Sequence, residues 1–457
     1  MINDHTLDAF RAILGARLVT SRSDRDLHGR SESHFAPMPP DAIAYVESEQ
    51  EVQSLLKLCN DAGVPVIAWG TGTSLEAHTA APKGGLCVDF SRMTNILSIN
   101  AEDMCVTVEP GITRQDLNIA LRDTGLFFPV DPGANASLGG MTATRASGTT
   151  TVRYGTMKDN VMALRAMLAD GTSIDTGSRA KKSSAGYDLT SLLVGSEGTL
   201  GIVTQITLRL YPIPEAISAG IVAFDTIEQA VDAVTQTIQM ALPMARLEFL
   251  DAASVVAFNA YADADMPETP HLLFELHGDD VSVKAQAELF GEICQDHGGS
   301  DFKWSAKTED RTALWTLRHN GYYAILAARP GARAIVTDIC VPSSNLAQAV
   351  EETRQDIEAS DITGPILGHV GDGNFHAILL IDDTSEAEKS QAQRISDRMA
   401  ERALSMGGTC TGEHGVGMGK LKFMEREHGA AWDVMSTIKR ALDPNNILNP
   451  GKVIKSN

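Results

Sequence analysis

The sequence predicts an α+β protein built in two parts, and three observations predict it. Between residues 66 and 155, strand-like runs alternate with loops made almost only of small residues. A strand entered from Gly195 to Gly201 stops at Pro212 and Pro214, and prolines so placed mark a boundary. Beyond them the pattern changes. Helical periodicities over 227–240, 281–297 and 310–328 alternate with β-rich runs over 272–276, 334–341 and 366–380, the signature of a second α+β domain.

A chain of 457 residues is long enough for two or three domains, and 43% hydrophobic residues describe an ordinary globular protein. The formal net charge of −21 would repel a phosphate backbone, which argues against nucleic acid as a partner. Cys59, Cys87, Cys105, Cys294, Cys340 and Cys410 are scattered without CxxC spacing, so neither a disulfide framework nor a zinc ribbon is expected. The start, MINDHTLDAFRAIL, is acidic where a secretory leader is basic, and no stretch reaches membrane-spanning length. A cytoplasmic location is the expectation.

In chain order, 4–15 reads as a short amphipathic helix and 49–62 as a second one, stopped by Gly63 and Pro65. Val66 to Trp69 then forms a strand running into Gly70-Thr71-Gly72-Thr73-Ser74-Leu75, whose backbone N–H groups suit a pyrophosphate. A dinucleotide fingerprint would need a third glycine where Leu75 stands and a helix that Pro82, Gly84 and Gly85 interrupt, so Asp89 as a ribose ligand is coincidence. The passage DPGANASLGGMTATRASGTTTVRYG, 131–155, has too few large residues to bury apolar surface. It is either a linker or a wrap around something rich in polar acceptors. Strands at 104–108 and 163–168 flank it, which favours a large phosphate-bearing cofactor.

The run ILGHVGDGNFHAILL, 366–380, reads as two strands joined at Gly371-Asp372-Gly373-Asn374. If those four residues are the loop, 369 pairs with 376 and His369 and His376 face each other directly, about 5 Å apart at Cβ. Two facing imidazoles suit a divalent metal. Glu413 and His414, in the glycine-rich run GTCTGEHGVGMGK, offer a third ligand and a base. A His/His/Glu set leaves positions open for substrate, although histidines beside glycines are also ordinary turn residues.

GTGTSLEA, the 131–155 passage, GSEGTLGIVT, GHVGDGNFH, TGEHGVG and ILNPGKV occur in series from about His34 to Lys452. In this order they resemble the FAD-dependent D-2-hydroxyacid dehydrogenases of the vanillyl-alcohol oxidase and p-cresol methylhydroxylase superfamily, nearest to its FAD-linked D-lactate-oxidising members. The resemblance implies a two-part FAD-binding domain over 1–215, an α+β cap with an antiparallel sheet and the metal site over 216–430, and a C-terminal segment, 431–457, returning to the first domain.

It further implies that Gly70, Thr71, Gly72, Thr73, Ser74 and Leu75 bind the FAD pyrophosphate. Pro132, Gly133, Gly140, Ser147, Gly148, Tyr154, Glu197, Gly198, Ile202 and Val203 would line the flavin and ribityl chain, with Asn449 reaching back to it. The first loop holds no histidine, so noncovalent FAD is expected. His369, His376 and Glu413 match the metal ligands, for zinc or manganese; His414 matches the base, and Arg318 the arginine that holds the substrate carboxylate.

The implied reaction is oxidation of a small D-2-hydroxy acid, D-lactate to pyruvate first, with glycolate, 2-hydroxybutyrate and D-2-hydroxyglutarate as alternatives. A metal-dependent hydrolase is the reading from another class. Relatives that take 2-hydroxyglutarate carry a lysine where Val336 stands, which points to a short apolar substrate tail. Electrons would pass to a quinone, a cytochrome or an electron-transfer flavoprotein. A homodimer and a position at the periphery of the inner membrane are compatible with the chain.

Overall fold

The computed structural model describes residues 1–455. It is a mixed helix and strand protein whose chain forms two compact units. The first comprises Met1–Ser147, Gly155–Ile213 and the chain from Glu413 onward; the second comprises Gly148–Tyr154 and Pro214–Gly412.

The first unit has two main sheets. In one, Ala42–Tyr45 and Val66–Trp69 run parallel on either side of Leu86–Asp89, and Leu18–Val19 adds antiparallel to the edge. The helix Glu49–Ala62 crosses between the first two of these strands. Ser48 caps it by accepting from the Glu51 N–H at 3.3 Å, and Gly63 ends it at φ 64°, where a side chain would be strained. Its Val52, Leu55, Leu56 and Cys59 are buried with Phe10, Leu14 and Val88 in one cluster, and each large side chain buried fully stabilises the fold by about 1.5–3 kcal/mol. The second sheet is antiparallel, in the order Ile96–Asn100, Cys105–Val108, Ile202–Arg209, Val161–Met167, Ser173–Gly177.

Asp89 is buried against the His28 Nε2, 2.8 Å away, and also accepts from the Ser91 N–H. That pairing gives the carboxylate a structural use. The chain tail closes the parallel sheet: the Val66 N–H donates to the Ile447 carbonyl and the Asn449 N–H donates to the Val66 carbonyl. The chain joins this unit again at Glu413, ahead of the helix Ala430–Leu442 and of the 431 boundary that the resemblance implies. The Met418 N–H donates to the Glu76 carbonyl there, a bond that no composition break announces.

The second unit is organised by one antiparallel sheet in the order Ser300–Ser305, Ala216–Ala223, His271–Gly278, Met244–Leu250, Ile366–His369, Asn374–Ile381, Arg333–Val336, with Ile339–Cys340 also pairing to Asn374–Ile381. Successive strand residues face opposite ways. Leu273 packs with Phe258, Trp315 and Ile325, whereas its neighbour Phe274 stacks on Phe302 and meets Phe290 edge-on. Both faces are therefore covered.

Two expected elements are each split. The helix expected over 310–328 is two, Thr308–His319 and Gly321–Ala327, since Asn320 leaves the helical conformation at ψ 1°. The run 334–341 breaks after Val336, because Thr337 and Asp338 turn their side chains to bonds with the Ala377 backbone and with Asn374 and Thr411. All six cysteines are free, five of them buried. Among the described residues no helix is long and apolar enough to cross a membrane.

Candidate functional site

In the first unit the strand Val66–Trp69 delivers the loop 70–75, every residue of which is half-buried. Gly72 takes φ 71° beside the Trp69 ring, and a Cβ on Gly70 would stand 2.1 Å from the Ser137 Oγ. Ser137 caps the short helix Leu138–Thr144, accepting from the Gly140 N–H, so the first loop and the 131–155 passage meet at this serine. The passage is ordered by such local bonds despite its small side chains. Gly133 faces open space, Pro132 is half-buried, and the Ser74 and Thr79 hydroxyls are buried without a protein partner. Hydroxyl and backbone donors with room before them, and no Cβ in the way, fit a phosphate-bearing cofactor.

Glu197, buried at φ 55°, accepts from the Val416 N–H at 2.6 Å and the Gly417 N–H at 2.8 Å. Its carbonyl accepts from the Asn449 Nδ2 at 2.7 Å, and that amide also donates to the His78 carbonyl. Ser147 donates to the Glu413 Oε2 at 3.0 Å. The loop carrying Glu413 and His414 is thereby tied to Ser147, Glu197 and Asn449. Gly198 follows at φ 70°, while Ile202 and Val203 pack their side chains into the core. Gly148 and Tyr154 belong to the other unit, where the Tyr154 hydroxyl donates to the His277 Nδ1 at 2.7 Å and the His277 Nε2–H donates to Glu275 at 2.8 Å.

In the second unit His369 ends one arm of the hairpin and His376 lies on the other. The expected register is corrected here: His369 pairs with Asn374, and His376 pairs with Leu367. The loop is 370–373, one 3₁₀ turn closed by Gly373 at φ 77°, because Asn374 is drawn into the strand by bonds from its Nδ2 to Asp338 and the Ile339 carbonyl. A slip of two residues preserves the face, so the imidazoles still meet diagonally, ring centroids 5.7 Å apart. The His376 Nδ1–H donates to the Thr337 carbonyl at 2.9 Å and the His369 Nδ1–H to the Glu248 Oε1 at 2.7 Å. With both Nδ1 atoms engaged, Nε2 is the nitrogen each ring presents, and two such nitrogens fit a divalent cation.

Arg318, on the helix Thr308–His319, gives its Nε and Nη2 to the Glu248 Oε2, at 3.0 and 2.6 Å. Its guanidinium therefore already carries one carboxylate. Burial alone would raise Glu248, but His369 and Arg318 outweigh it and hold that carboxyl below its ordinary value. Sequence reasoning missed Glu248. Its one signal is an acid inside the apolar strand pattern Leu247-Glu248-Phe249-Leu250. Arg318, His369 and His376 thus share the second unit; Glu413 and His414 belong to the first, Glu413 bonded directly to Gly412, the last residue of the second.

Two family descriptions match: "FAD binding domain" over residues 40–177, and "FAD linked oxidases, C-terminal domain" over 213–453. The chain belongs to the FAD-linked oxidases. It is 47% identical to the "Probable D-lactate dehydrogenase, mitochondrial" of Danio rerio, over 99% of this chain and 92% of that one. It is 44% identical to the "D-lactate dehydrogenase [cytochrome], mitochondrial" of Arabidopsis thaliana, over 98% of this chain and 80% of that one. Its fold is that of p-cresol methylhydroxylase, with TM-score 0.78 at 17% identity over 98% of this chain and 96% of that one. An FAD-linked oxidase with these loops in its first unit binds FAD.

Proposed function

We propose that this chain oxidises a small D-2-hydroxy acid, D-lactate to pyruvate, with noncovalent FAD and a divalent metal, zinc or manganese, held by His369, His376 and Glu413. The observation that carries the reading is the joining of Arg318 and His369 through Glu248 in the second unit of a chain whose first unit binds FAD. A 2-hydroxy acid presents one carboxylate and one hydroxyl on adjacent carbons, the pair that a guanidinium and a cation recognise.

Glu248 occupies the Nε–H and one Nη2–H of Arg318, which leaves three N–H donors for the substrate carboxylate. The cation would lower the pKa of the substrate hydroxyl. His414 takes the hydroxyl proton on an imidazole nitrogen, and its loop is held by Glu197 through two backbone bonds. FAD supplies the two-electron acceptor for the hydride leaving C2. The product is the 2-oxo acid, and the two electrons leave for a separate acceptor. A cytochrome is the first candidate, as a relative's name includes one; a quinone and an electron-transfer flavoprotein are the others.

Val336 ends the strand Arg333–Val336 and packs against the cap core, paired with Ile378. An aliphatic side chain there cannot pair with a distal carboxylate, and an unpaired buried charge costs several kcal/mol. Anaerobic flavin bleaching should be fastest with D-lactate or D-2-hydroxybutyrate and slow with D-2-hydroxyglutarate, and Val336→Lys should move the preference toward the dicarboxylate. No bleaching with any D-2-hydroxy acid, glycolate included, or wild-type preference for the dicarboxylate, defeats the assignment.

A further inference from the structure

Glu248 is fully buried, on the central strand Met244–Leu250. Phe249 pairs with Gly368 and Leu250 with Leu367, so the next rung sets Glu248 opposite His369. One of its oxygens serves His369 and the other serves Arg318. A buried carboxylate needs about one compensating charge to be tolerated, yet this one faces an arginine and a histidine on separate oxygens. Each oxygen fixes a different partner.

We propose that Glu248 is a positioning residue that binds the proposed substrate clamp and the proposed metal ligand into one rigid element, so that metal affinity and substrate-carboxylate affinity rise and fall together. This inference rests on the reading above. On His369, accepting from Nδ1–H keeps the proton there and so leaves Nε2 unprotonated, the tautomer a cation requires. On Arg318, holding Nε and Nη2 orients the guanidinium so that its remaining N–H groups form one edge for a carboxylate.

A neighbouring constellation provides the control. Glu275 accepts from the His277 Nε2–H at 2.8 Å and lies 3.6 Å from the Arg246 Nε, also buried and on the adjacent strand, but none of the three is assigned to metal or substrate. If Glu248 merely neutralises buried cations, the two carboxylates are equivalent. If it positions, only Glu248 affects binding.

The test uses full-length, FAD-loaded enzyme stripped of metal and titrated with Mn²⁺ alone, followed by steady-state kinetics on D-lactate. In Glu248→Gln the amide can no longer accept from both partners. Its NH₂ group toward His369 would favour the proton on Nε2. Mn²⁺ binding should weaken about 10–100-fold, KM for D-lactate should rise, and flavin content should stay that of the wild type. Glu248→Asp, one methylene shorter, draws both oxygens back from His369 and Arg318 and should show the same two losses together, which keeps the proposal exposed if the glutamine variant does not fold. Glu275→Gln should leave Mn²⁺ affinity within about twofold. Unchanged Mn²⁺ affinity in a folded Glu248 variant, a loss in only one of the two affinities, or an equal loss in Glu275→Gln overturns the proposal. Wild-type enzyme that takes up no Mn²⁺ overturns the metal reading itself, before any variant is compared.

Discussion

The two units prepare their sites by opposite means. The first uses loops: Gly70, Gly72, Gly133 and Gly198 clear space, and backbone N–H groups and small hydroxyls do the presenting. The second uses strand rungs: His369, His376 and Glu248 are side chains on adjacent strands of a sheet covered on both faces, with Arg318 brought in by a helix. The difference follows from what each would bind. A long cofactor with two phosphates is served by many weak donors spread along a loop, whereas a three-carbon acid offers few atoms and needs each one met by a charge fixed to within fractions of an ångström.

If the division holds, damage at His369 and its metal-binding partners should spare cofactor binding. Chelation, or His369→Ala, is expected to remove turnover entirely while the protein keeps its full complement of FAD, read from the visible flavin spectrum and from metal analysis. Normal turnover in metal-stripped enzyme breaks the metal assignment. Loss of flavin along with the metal breaks the division between the units.

His414 tests the first unit from the other side, since it is a reactive side chain carried by a loop. His414→Asn should lower kcat about 10²- to 10⁴-fold, with thermal stability and flavin content little changed, because Glu197 holds the loop through the backbone N–H groups of Val416 and Gly417. Near-normal kcat moves the base elsewhere.

The smallest effect sharpens the contrast within the second unit itself. Asp251 caps the helix Ala252–Ala262, accepting from the Ser254 N–H at 2.7 Å, and burial raises it from 3.8 to about 6. Unlike Glu248 it has no basic partner bonded to it to hold it ionised. A carboxyl raised in the folded state contributes stability that is complete below pH 3.8 and is lost as the pH rises through about 6. Asp251→Asn, permanently neutral, should therefore flatten the change in Tm between pH 5 and 7.5 by a few degrees, since about 1 kcal/mol moves Tm by about 2–4 °C in domains of this size. An identical pH dependence in both proteins would show that Asp251 does not titrate in this range.

Much of the first candidate site's local structure was legible because loops suited to backbone recognition leave a compositional mark. Strand 66–69 running into a loop of glycine, threonine and serine is visible in a single sequence, and so are the missing third glycine and the helix that never follows. The histidine pair was legible as a pair, because period-2 alternation survives a two-residue slip. Its register was not, because Asn374 is held by Asp338 and Ile339, far back along the chain. The split at Asn320 was hidden for a similar reason: helical periodicity continues across it, and only the capping geometry shows the break.

The sequence by itself determined the order of the elements, the loops that suit a phosphate-bearing cofactor, and the histidine pair of the second site, since each of these rests on local patterns of side-chain size and period. Tertiary structure alone decided how those charges are paired. Glu248 reaches Arg318 and His369 from 70 and 121 residues away, and strand order, which no local pattern encodes, is what places it between them. A buried carboxylate takes its role from the partners it meets, and here those are assigned by strand pairing for His369 and by the helix Thr308–His319 for Arg318.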